Sequence, residues 1–107
     1  MNKQELIELL QDGKVHCEGT DLRGADLRGA DLRDVNFTGS DFRDADLRDA
    51  DLRGAFLYGA NCYGTDFRGA DLQDAALTYA KFLTNAKFDK QQIAMLPKLL
   101  GIKLIED

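Results

Sequence analysis

Two cysteines, one histidine and a dense series of aspartates are the residues of this chain whose types and spacing could do chemistry. Cys17 and Cys62 could form a disulfide or share a metal. His16 stands beside Cys17, as the types of a base and a nucleophile would. Aspartate recurs at 21, 26 and 31, at 41, 46 and 51, and again at 66 and 71, which invites a calcium reading. Most of these ideas weaken on inspection. Adjacent residues of an extended segment point to opposite sides, so Cys17 facing inward sends His16 outward and no dyad forms. No second histidine exists to complete a catalytic set. The Gly-Gly-x-Gly-x-Asp signature of calcium β-rolls is missing, and arginine follows most of these aspartates two residues on. The chain is therefore expected to be no enzyme, with no cofactor and no metal.

The spacing has a different meaning. From Val15 to Thr84 the chain repeats every five residues, fourteen times, as small–Asp–Leu–Arg–Gly; Ala25-Asp26-Leu27-Arg28-Gly29 is the cleanest copy. The third position, or centre, is always apolar: Cys17, Leu22, Leu27, Leu32, Phe37, Phe42 and so on to Leu77 and Phe82. On an α-helix five residues advance about 500°, so the centres form no stripe. On a straight strand an odd period throws alternate centres to opposite faces. The remaining solution is a chain that turns once per repeat, always in the same sense. A turn over the third to fifth residues puts the fifth where a type II turn wants glycine. Glycine stands there in eight repeats, while Asp34, Asp44, Asp49 and Asp74 suggest a second, type I corner.

The A-D/N-L-x-x pattern resembles that of the pentapeptide repeat family, over about two thirds of the chain. The resemblance implies an all-β solenoid, a right-handed quadrilateral β-helix with four repeats per coil, and family members often carry a capping helix. On that geometry a coil rises ~4.8 Å, and the repeat block is about three and a half coils, roughly 17 Å long. Cys17 and Cys62 then lie on different faces about two coils apart, beyond the ~7 Å reach of a disulfide. Both read as small core hydrophobes. The aspartates stack as Asp21/Asp41, Asp26/Asp46/Asp66 and Asp31/Asp51/Asp71, with Arg23/Arg43, Arg28/Arg48/Arg68 and Arg33/Arg53 beside them, a set of exposed ion pairs that are weak singly. Some members of the family resemble duplex DNA and bind bacterial type II topoisomerases. A DNA-mimic modulator of gyrase is thus the alternative function, weakened here by the arginine columns and by the short rod.

The ladders fail on one face. Its second positions are His16, Asn36, Phe56 and Ala76, and its fourth positions Glu18, Thr38, Tyr58 and Thr78. Phe56, Tyr58, Tyr63, Tyr79 and Leu83 make the candidate interface, because aromatic residues with little charge nearby resemble the core of a contact surface. Its cover is expected to be the C-terminal segment, another copy of the chain or a different protein. The first reading of function is a non-catalytic protein-interaction or structural module with an unidentified protein partner.

The ends read as caps on a single domain. Residues 1–14 hold a short amphipathic helix over Asn2 to Asp12, residues 15–84 the β-helix, and residues 85–107 a C-terminal helical or irregular cap. There Ala80-Lys81-Phe82 and Ala86-Lys87-Phe88 lie six apart, so one residue is inserted. Asp89 can N-cap a helix through Leu96, Pro97 interrupts it or opens a second turn, Gly101 ends it, and Ile102 to Ile105 reads as a strand. The same cap could bury its apolar side against a copy and make a homodimer. Net charge is −5, and thirteen acids face eight bases between Val15 and Thr84. That disfavours direct binding to nucleic acid. No run is long enough to span a membrane and no secretory signal is read, so a cytoplasmic location is expected.

Overall fold

The computed structural model of the protein describes residues 1–11, 15–80 and 83–101. The repeat turns the backbone as its spacing requires. The centre's carbonyl accepts from the first N–H of the next repeat, as Leu22 does from Ala25 at 3.1 Å and Leu27 from Ala30 at 3.1 Å. Successive coils are joined by parallel bridges between residues twenty apart, in four columns: His16–Asn36–Phe56–Ala76, Asp21–Asp41–Asn61, Asp26–Asp46–Asp66 and Asp31–Asp51–Asp71. Four repeats therefore complete one coil. Each side contributes a single bridged residue rather than a strand of several.

The bonds between coils repeat as well. The Leu27 N–H donates to the Asp46 carbonyl at 2.8 Å, the Gly29 N–H to Arg48 at 3.0 Å, and the Asp46 N–H returns to Ala25 at 2.9 Å. Every centre from Cys17 to Leu77 is buried, with Phe37 and Phe42 meeting edge to face at 5.1 Å. The small first residues let the corners close over this axis. Where that residue is polar, the backbone satisfies it: the Ser40 hydroxyl donates to the Cys17 carbonyl at 2.8 Å and Thr65 to that of Phe42 at 2.7 Å.

The corners differ from the expectation of two types. Asp34, Asp44, Asp49 and Asp74 have φ between 59° and 61°, in the left-handed region that the glycines of the same position occupy at 64° to 76°. A type I corner would need negative φ there. Aspartate tolerates the left-handed region better than most residues, so one corner conformation serves both residue types.

Helix α1 spans Lys3–Gln11 and buries Leu6 on the first coil. The Lys3 ammonium donates to the Arg28 carbonyl on that coil's rim. At the other end the insertion falls between Ala80 and Thr84. The Ala86 N–H donates to Leu83, the Gly64 N–H to Thr84, and Asn85 takes the left-handed corner at φ 59°. Leu83 thus holds the centre's place that the repeat pattern gives to Phe82, which lies outside the described residues. The register then resumes one residue late: Lys87 bridges Asp66, and Phe88 stacks on Phe67 at 5.0 Å.

Helix α2 spans Lys90–Leu99. Asp89 caps it in a reciprocal box with Gln92, and Gln92 is buried, donating to the carbonyls of Phe67 and Ala70 on the last coil. The helix runs through Pro97 without an interruption, and Gly101 follows it in the left-handed conformation at φ 74°. Proline removes only the bond its N–H would give to Ile93, a residue 58% exposed. Leu99 is buried, and its carbonyl accepts from the Leu77 N–H at 2.8 Å. Ile102 to Ile105, read from sequence as a strand, lies outside the described residues. Among the described residues no helix is long and apolar enough to cross a membrane.

Candidate functional site

The coil fixes which side chains share a side, and three of its four sides carry the Asp–Arg ladders. Within a repeat the two residues are second and fourth, both outward and one side-chain length apart. Asp46 shows the arrangement: it accepts from the Arg48 Nε at 2.9 Å, from Nη2 at 2.7 Å and from the Arg48 backbone N–H at 3.1 Å. The same fork joins Asp21, Asp26, Asp31, Asp41, Asp51 and Asp66 to Arg23, Arg28, Arg33, Arg43, Arg53 and Arg68. A longer contact reaches up one coil, from Arg28 to Asp46 at 3.8 Å and from Arg53 to Asp71 at 3.7 Å. The forks hold Asp21, Asp26, Asp31, Asp41, Asp46, Asp51 and Asp66 below the usual carboxylate range, chiefly through the side-chain bonds from arginine. The carboxylates are thus neutralised in place rather than offered to a cation. Among the described residues no group of three or more His, Cys, Asp or Glu could hold a metal.

The cysteines do no chemistry with each other. Both are free and buried. Burial, with a smaller effect of the Asp41 charge, pushes the Cys62 thiol up to about 12; burial first and then the charge of Glu18 raise that of Cys17. His16 is exposed and shares a 3.0 Å contact with Glu18 rather than with Cys17.

The side without ladders is where the sequence placed it. Phe56, Tyr58, Tyr63 and Tyr79 are exposed by 49%, 46%, 41% and 69%, although all are large and largely apolar. Tyr58 and Tyr79 meet edge to face at 5.0 Å across one coil step. The Tyr63 hydroxyl accepts from the Asn85 amide at 3.0 Å around the next corner. Leu83 does not join this surface, because it packs half-buried against the core from the centre's place. As far as Gly101, the C-terminal segment closes the coil end and leaves the four rings exposed.

Two features of this side were not read from the sequence. Tyr79 occupies the fifth position with φ 57°, the conformation held elsewhere in the repeats by Gly, Asp and Asn. A bulky side chain there is strained by ~1–2 kcal/mol. The signal was present, since Tyr79 breaks an otherwise small or acidic column. The second feature is the corner leading into this side, where Asp34, Gly54 and Asp74 stack. The Asp34 Oδ1 lies so close over Gly54 that a Cβ there would be only 2.2 Å away. The same fit recurs with Asp44 over Gly64 and Asp49 over Gly69.

Comparison with known proteins fits this geometry. A model for the family described as Pentapeptide repeats (8 copies) matches residues 14–49, 45–82 and 55–90. Among solved structures, a pentapeptide repeat protein from Nostoc PCC 7120 is 30% identical, covering 84% of this chain and 78% of that one, with a TM-score of 0.49. HetL, a pentapeptide repeat protein involved in heterocyst differentiation regulation in Nostoc sp. PCC 7120, is 29% identical with a TM-score of 0.52, covering 67% of this chain and 38% of that one. QnrB1, a plasmid-mediated fluoroquinolone resistance protein, is 21% identical over 84% of this chain and 45% of that one, with a TM-score of 0.42. No curated protein matches the chain.

Proposed function

The chain belongs to the pentapeptide repeat family, and from that premise we propose that it is a non-catalytic protein-interaction module, a right-handed quadrilateral β-helix whose working surface is the aromatic side. One observation carries the reading: three aromatic rings, Phe56, Tyr58 and Tyr79, stand exposed on the one side that has no ladder of ion pairs, with a fourth, Tyr63, exposed just around its corner. On the other sides most outward second and fourth positions are filled by self-neutralised pairs, which gain little by trading water for a partner. Aromatic rings gain much, because their apolar area is large and their rotamers are few. The ends offer less, since α1 and α2 each bury a leucine on the coil and occupy it. Two buried free thiols accord with a reducing, cytoplasmic location.

The test is the double variant Phe56→Ser with Tyr58→Ser. It should keep the wild-type circular dichroism spectrum and lose whatever protein the wild type captures, or lose the dimer if light scattering finds the wild type dimeric. Retention of both capture and mass would remove this surface from the function. The other reading, a DNA-mimic modulator of a bacterial type II topoisomerase, has less support because seven aspartates are each forked to an arginine. Inhibition or protection of gyrase in a supercoiling assay, unchanged in the double variant, would favour it instead.

A further inference from the structure

Resting on the reading of the aromatic side as a docking surface, the charge beside it points to the chemistry of the occupant: we infer that it takes a basic, apolar segment of a partner protein. The aromatic side is entered through the corner Asp34–Gly54–Asp74, and Phe56 follows Gly54 by two residues. A groove lined by Arg33, Asp34, Arg53, Gly54, Gln73 and Asp74 runs along that corner. Its two arginines are engaged by Asp31, Asp51 and Asp71, which leaves Asp34 and Asp74 outside the ion pairs of the described residues. Gln73 stands where the ladder would have a third arginine, so this flank carries Asp31, Asp34, Asp51, Asp71 and Asp74 against two arginines. On the opposite flank Asp41 is forked to Arg43, and the next coil has the neutral Asn61 and Tyr63.

The surface therefore joins an apolar platform to an acidic rim. Lysine or arginine on a bound segment would meet the carboxylates at the corner, and its aliphatic or aromatic side chains would lie on Phe56, Tyr58 and Tyr79. The rings add to this because a cation near an aromatic face is attracted by its quadrupole. An acidic segment would meet like charge at the rim, so the arrangement discriminates as well as binds.

The chain has three tyrosines and no tryptophan; Tyr58 and Tyr79 lie on this surface and Tyr63 on its flank, so tyrosine emission reports on the site and its edge. The protein is titrated with a short soluble peptide alternating lysine and leucine, and with its glutamate–leucine counterpart, at low and high salt. The basic peptide should change tyrosine emission saturably and bind about tenfold more weakly when salt is raised. Asp34→Asn with Asp74→Asn should weaken it about tenfold as well. Tyr79→Gly should also weaken it, with the melting temperature confirming that the variant is folded. Equal binding of the acidic peptide would overturn the charge argument while leaving the surface as a docking site. Binding of the basic peptide without an emission change, or unaltered binding by the double Asn variant, would overturn it too. An emission change on simple dilution would identify a second copy as the occupant and overturn it likewise. If neither peptide binds, the inference fails, while the capture and mass measurements on the Phe56 and Tyr58 variant still decide the docking role.

Discussion

Single residues in this protein owe their behaviour to one distinction, whether they point to the axis or away from it. Cys62 points inward, and its thiol is raised to about 12 because burial penalises the thiolate, the reactive form. Alkylation followed by mass spectrometry should leave Cys62 unmodified in the native protein at neutral pH and modify both cysteines once denaturant is added. Native labelling of Cys62 at the denatured rate would show that the core opens around it. The corner residues permit a sharper test. Gly24 and Gly54 share a left-handed backbone, at φ 64° and 70°, but Gly24 has open space where Gly54 has the Asp34 carboxylate. Gly24→Ala should cost ~1–2 kcal/mol from backbone strain alone. Gly54→Ala should cost more, and adding Asp34→Gly should return it to about the Gly24→Ala value. Equal losses for the two alanine variants in urea titrations would show that the aspartate moves aside freely.

Helix α2 closes the last coil where the repeat loses its five-residue step. Its attachment depends on Gln92, whose buried side chain accepts from the Asp89 N–H and donates to two carbonyls of the coil rim. Gln92→Leu would leave those backbone groups without partners, so stability should fall by ~1–3 kcal/mol. The urea midpoint measures this, and a change below ~0.5 kcal/mol would mean that Phe88 and Leu99 hold the helix without it. The sequence showed the helix, its Asp89 cap and the inserted residue, because each leaves a local mark. It left Pro97 as an interruption or the start of a second turn, and the helix runs through it because one lost bond in its final turns is tolerated. It misplaced one detail. The inserted residue shifts the centre from Phe82 to Leu83, and only the hydrogen bonds to the neighbouring coil decide which of two adjacent apolar residues takes that place.

The whole molecule behaves as a stack of coils whose surface charge is fixed in pairs. Seven aspartates are held below the usual carboxylate range by their arginine partners. A carboxylate with a depressed folded pKa contributes stability above its unfolded value, ~3.9 for aspartate, and that contribution is lost as pH falls through it toward the folded value. The melting temperature should therefore be nearly flat from neutral pH to about pH 5 and decline below about pH 4. Screening by water makes each pair's share small, so the decline should be gradual and spread over the ladders. A melting temperature that rises on acidification through pH 4 would contradict the pairing.

The sequence by itself determined the turn per repeat, the apolar axis, the inward cysteines and the side without ladders. All of these follow from a period of five and from residue type at each position, which are properties of single repeats multiplied. Tertiary structure decided what depends on contact between one coil and the next. It showed that Asp and Gly share one left-handed corner, and that the Asp34 carboxylate lies where a Cβ on Gly54 would stand. It brought Tyr79 onto Tyr58 at the cost of a strained backbone, and set Leu83 half-buried against the core in a centre's place. A linear repeat records what each residue is, whereas the neighbour twenty residues away decides how much room and how much water it has.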